Sequence, residues 1–179
     1  MKNKKSKTFS LAFSSVIAAL SLVFMFITTF IPVGTYALPC VAGALLAAVV
    51  LESGYLSASL VYIVVSVLSF FFVADKEAVL YYVAFLGFYP ILKGLFERIK
   101  VGLLQYILKF AVFNICIVAA FCIGLFVLSI PKESFELFGM YLPWVFLMLG
   151  NIVFIVYDFC LTRLITTYAD IWRKRINFK

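Results

Sequence analysis

Few residues in this chain of 179 could do chemistry, and their types are limiting. There is no histidine, which removes the commonest general base and with it the Ser-His and Cys-His pairs of nucleophilic catalysis. The four cysteines, Cys40, Cys116, Cys122 and Cys160, are scattered and form no C-x-x-C pair. A zinc site would need an unusual ligand set, and the expected role of these side chains is that of small buried apolar groups. No G-x-x-x-x-G-K-[ST] loop occurs, so the chain could not hydrolyse ATP by the usual route. Neither a D-x-x-D-type pair nor paired intramembrane acids supply a base. No catalytic residue, metal or cofactor is therefore expected, and a membrane-embedded enzyme is the least favoured class.

The remaining polar residues stand out because of where they fall. Asn114 and Asn151 lie inside long apolar runs, with Asp158 nearer the end of the last one. Each is costly in hydrocarbon unless it faces the interior of a bundle or a wet cavity. For Asn151 both an interhelical hydrogen bond and a ligand contact are open. Asp158 reads as a solvated or paired end group rather than a proton relay. Lys93 precedes Glu97 by four residues, a spacing at which the two pair on a helix unless Lys93 snorkels.

The elements that position these residues follow from composition. Hydrophobic residues make up 66% of the chain and charged residues 13%, with a mean hydropathy of +1.17. A soluble domain is nearer half apolar and a quarter charged, so water cannot be the solvent for most of this surface. The apolar runs are continuous rather than alternating, which predicts helices. Crossing a hydrocarbon core of ~30 Å takes roughly 20 apolar residues. The expected fold is an all-α, single-domain bundle of six membrane-spanning helices at about 9–31, 35–51, 55–73, 78–96, 110–130 and 140–165. The second is the weakest. The lysine run before residue 9 resembles a signal peptide, but the apolar run is long and no small-x-small site follows cleanly, so it is read as the first span. Residues 97–109 mix charge with apolar side chains and read as an interfacial stretch.

Net charge is +7, and its distribution argues against nucleic acid. With six spans and both ends inside, thirteen of the fifteen Lys and Arg residues fall on the inner side and only Lys76 and Lys132 on the outer. That is the asymmetry expected of a multi-pass plasma-membrane protein with cytoplasmic termini, its basic clusters set against anionic lipid.

Three further features could carry function. Pro90, flanked by Gly87 and Gly94, should kink the fourth span. Small residues repeat at helical spacing in the first span (Ser14, Ser15, Ala18, Ala19) and the second (Gly43-x-x-x-Ala47). They permit close helix packing, either inside the bundle or, in the first span, against a partner subunit. The outer loops could cap a small pocket, with Phe135, Tyr141, Trp144 and Tyr82 as aromatic walls and Lys76, Glu133 or Asn151 as polar contacts. Interfacial anchoring explains several of these aromatics equally well.

The basic N-terminus, the Ser/Ala-rich segment at residues 9–20, the proline-containing first outer loop, the short small-residue second helix and the six spans together resemble the membrane-embedded substrate-binding (S) components of energy-coupling factor transporters. The stretch at 75–98, with Tyr-Pro-Ile-Leu-Lys at its inner end, is also similar to bacterial membrane proteins of that general type. The resemblance implies a small ligand, a vitamin or micronutrient, bound in an outward-facing cavity. It also implies a shared transmembrane coupling subunit docked on Ser14, Ser15, Ala18 and Ala19, and ATP hydrolysis in two partner ATPase subunits. No vitamin-binding motif is evident. The second expectation is a small membrane protein with a scaffolding or assembly role and no transported substrate.

Overall fold

The computed structural model describes residues 7–31, 34–99, 101–126, 136–137, 140–141 and 143–176. These form an all-helical fold whose order is α1 (Lys7–Ile27), α2 (Ala37–Ser53), α3 (Tyr55–Phe72), α4 (Lys76–Tyr81), a π-helical segment (Tyr82–Leu86), α5 (Tyr89–Phe96), α6 (Gly102–Phe126) and α7 (Pro143–Ile176). The exception is a two-residue antiparallel pairing of β1 (Glu136–Leu137) with β2 (Met140–Tyr141). Among the described residues, five helical stretches are long and apolar enough to cross a membrane, one of them the composite Lys76–Phe96. They are compatible with a membrane location. α2, also apolar, has 17 residues.

Several boundaries differ from those expected. α6 begins at Gly102, eight residues before the expected start of the fifth span, and its first turns leave Leu103, Leu104, Tyr106 and Ile107 exposed. Lys109, one residue before that expected start, is buried because its charge meets Asp158 on α7, as described below. α7 runs to Ile176, and at 34 residues it is about 50 Å long, well beyond one hydrocarbon thickness. Lys76 and Glu77, expected in a loop, form the first turn of α4.

Local chemistry fixes the joints. Gly54 turns α2 into α3 with φ = 88°, a backbone conformation glycine adopts without a Cβ penalty. Asp75 caps α4, its Oδ1 accepting from the Ala78 amide at 3.0 Å while Oδ2 accepts from Thr35 Oγ1 at 2.8 Å. Lys76 Nζ donates to the Phe70 and Val73 carbonyls at 2.7 and 2.9 Å, satisfying the end of α3.

Two apolar clusters hold the bundle. One joins α1, α2 and α3 to the start of the broken span through Ile17, Met25, Leu46, Val61, Val65 and Tyr82. The other joins α2 to the broken span, α6 and α7 through Ala47, Phe85, Tyr89, Phe113, Phe154 and Tyr157. Phe113 and Phe154 stack at 4.6 Å, and Phe85 stacks on Tyr89 at 4.7 Å. α2 is shared by both clusters, which accounts for its small residues. A Cβ on Gly43 would lie 2.2 Å from the Leu86 carbonyl oxygen, so only glycine lets α2 approach the π segment this closely.

Candidate functional site

The break in the fourth span has a traceable cause. Pro90 has no amide hydrogen to give the Leu86 carbonyl four residues earlier. Tyr157 Oη on α7 donates to that carbonyl instead, at 3.2 Å. One turn back, the Gly87 amide bonds to Tyr82 O at 2.8 Å, the π register, rather than to Val83 O. Tyr62 Oη on α3 donates to Val83 O at 2.8 Å. Both carbonyls freed by the break are thus satisfied by tyrosines from neighbouring helices, as backbone inside a bundle requires.

One turn beyond the break, α5, α6 and α7 converge on a polar cluster. Lys93 is fully buried and Lys109 is 4% exposed. Lys93 Nζ pairs with Asp158 Oδ1 and donates to Thr162 Oγ1 at 2.8 Å. It also pairs with Glu97 Oε1 at 2.9 Å. Lys109 Nζ lies 3.2 Å from Asp158 Oδ2 and 3.6 Å from Glu97 Oε1. Tyr89 Oη donates to Asp158 Oδ1 at 2.5 Å from within the aromatic cluster. Asp158 therefore accepts from three side chains on two other elements. Isolated charge in such surroundings is expensive; paired and hydrogen-bonded charge is tolerated. The Lys93–Glu97 pairing is the one the i,i+4 spacing predicts. Asp158 is paired, as one of its two readings had it, but its partners lie 65 and 49 residues away in the chain, and no local signal links them.

Among the described residues, no hydrogen bond, ion pair or ring contact joins Asn151, Tyr82, Lys76 and Trp144, four of the residues expected to line an outward pocket. Asn151 exchanges side-chain hydrogen bonds with Asn114, both at 3.0 Å, and each amide also donates to its own helix. Tyr82 is fully buried, and among the described residues its hydroxyl has no hydrogen-bond partner. Lys76 caps α3. Trp144 is 74% exposed at the start of α7. Tyr141 pairs through its backbone with Glu136. Phe135 and Glu133 lie outside the described residues. The docking residues divide: Ser14 is buried and Ala18 packs against the first cluster, whereas Ser15 and Ala19 are on the outer surface of α1. An apolar groove of about 410 Å³ lies between α1 and α3, lined by Leu22, Phe26, Leu68 and Phe72 among others.

These features define an all-helical chain, its helices of membrane-crossing length and apolarity, with one broken helix and an internal ion cluster. No known protein family, characterised protein or solved structure matches it.

Proposed function

We propose that the chain is a membrane-embedded solute-binding subunit of an ATP-driven uptake transporter for a vitamin or other micronutrient. In this reading it crosses the plasma membrane six times with both ends in the cytoplasm. The observation that carries the reading is the pairing of a broken span with a buried ion cluster one turn beyond it. Ionisable groups inside a membrane bundle mark functional sites far more often than structural ones, and interrupted helices recur where membrane proteins bind solutes. The sixth crossing is α2. Its 17 residues span about 25 Å, a shortfall that modest thinning of the bilayer accommodates. The ligand enters from the end that carries Asp75 and Trp144. ATP hydrolysis belongs to two partner ATPases, and the coupling subunit docks on the outer surface of α1 around Ser15 and Ala19.

A second reading, a scaffolding or assembly protein with no transported substrate, is favoured by one observation. Asn114, Asn151 and Lys76 all spend their hydrogen bonds inside the fold. Affinity purification from the native membrane separates the two. A transporter subunit brings down a second membrane protein and two ATPases. Ser15→Phe/Ala19→Phe, which changes only surface positions of α1, is expected to abolish their capture while leaving the unfolding temperature unchanged. Capture undiminished by the double substitution removes α1 as the docking face, and absence of ATPases from the wild-type purification removes the transporter reading.

A further inference from the structure

The ion cluster is unevenly enclosed. Lys93, Lys109 and Asp158 are 0%, 6% and 16% exposed at their side chains, and together they carry one net positive charge. Glu97, which balances that charge, is 40% exposed and caps the C-terminal end of α5, on the exposed side of the cluster. It is also the more loosely held acid, at 2.9 Å from Lys93 and 3.6 Å from Lys109, and among the described residues it has no hydroxyl donor comparable to the one Tyr89 gives Asp158. If Glu97 swings outward, Lys93 keeps the Asp158 carboxylate, the Asp158 carbonyl at 3.3 Å and Thr162. Lys109 keeps both Asp158 oxygens. The donors stay in place while a buried positive charge loses its counterion, a state that favours any small anion able to enter.

We propose that Lys93 and Lys109 form an anion-binding site in which the Glu97 carboxylate occupies the position of an external phosphate group. Arg98 lies over the Tyr55 ring at 4.9 Å and Arg163 over the Phe159 ring at 5.3 Å, so the site's positive partners are Lys93 and Lys109 rather than these guanidiniums. The phosphate can belong to a free anion or to a phospholipid headgroup, since both present the same oxygens at this end of the bundle.

The full chain, purified in a maltoside detergent free of phospholipid, provides the test. Inorganic phosphate is titrated in one arm. In the other, phosphatidylglycerol is titrated as mixed micelles and inorganic phosphate is omitted. Occupancy is read by native mass spectrometry and by the unfolding temperature. Glu97→Gln is expected to take up the anion about tenfold more tightly than the wild type, because it removes the internal competitor and keeps the side-chain volume. The gain should persist in Glu97→Gln/Arg98→Gln and disappear in Glu97→Gln/Lys109→Gln. A gain confined to the phosphate arm identifies a free anion, one confined to the lipid arm a headgroup, and a gain in both a site open to either. Equal affinity of wild type and Glu97→Gln in both arms overturns the proposal, as does a gain that survives Lys109→Gln or depends on Arg98. Should the Lys109 variant fail to fold, the comparison of wild type with Glu97→Gln decides.

Discussion

Asn114 and Asn151 face each other across α6 and α7, each donating to the other's amide oxygen and to a carbonyl of its own helix. That geometry uses both hydrogens of each amide. Interhelical hydrogen bonds in membranes are worth about 0.6 kcal/mol on average and up to about 1.7, so Asn151→Leu should lower stability by about 1 kcal/mol. Asn114→Leu/Asn151→Leu should cost less than the two single changes summed, because no amide is left facing leucine. Equilibrium unfolding of the four proteins in detergent measures the coupling; strict additivity would mean that the amides do not stabilise each other. At this scale the sequence was readable where partners are local. The spacing of Lys93 and Glu97 offered pairing or snorkelling, and the two pair. The convergence of Lys109, Tyr89 and Lys93 on Asp158 was not legible, because it depends on how three helices pack rather than on any spacing within one.

The fourth span shows what an element's sequence announces and what it leaves to tertiary packing. Pro90 and the glycines beside it marked the place of the kink. The π register at Tyr82–Leu86 and the two tyrosines that satisfy its freed carbonyls come from α3 and α7 and have no signature nearby. Leaving a buried carbonyl without a donor costs about 1–3 kcal/mol. Tyr157→Phe should therefore destabilise by that amount and Tyr62→Phe, on the exposed flank, by less. Gly43→Ala should be more damaging than its single methyl suggests, since the new carbon would meet the Leu86 carbonyl at 2.2 Å and push α2 off the break. Thermal unfolding in detergent ranks the three; a Gly43→Ala protein as stable as wild type would show that α2 and the π segment can separate without cost.

For the whole molecule, the apolar runs predicted helices, and among the described residues the regular elements are helices apart from one two-residue strand pairing. The starts of α6 and the extent of α7 were not legible. A charged residue such as Lys109 reads as a boundary until its counterion is known, and that counterion lies on another helix. The six-span reading with cytoplasmic ends makes a direct demand on topology. In a variant stripped of its four native cysteines, Ala74→Cys is expected to react with a membrane-impermeant thiol reagent added to intact cells. Asn3→Cys and Asn177→Cys should react only after permeabilisation. Reaction of just one of the two terminal cysteines from outside would give an odd number of crossings, and α2 would then be the helix that fails to cross.

The ion cluster also constrains how the chain can be made. In the membrane-spanning reading, Lys93 enters the bilayer with only Glu97 beside it, because Asp158 is 65 residues further along the chain. At roughly 5–20 residues per second the ribosome needs about 3–13 s to deliver that carboxylate. Over that interval a lysine and a proline-broken helix must be sheltered by the insertion machinery or by water at the membrane surface. α7 brings both the Asp158 carboxylate and the Tyr157 hydroxyl, so the break and the ion cluster are finished only when α7 arrives.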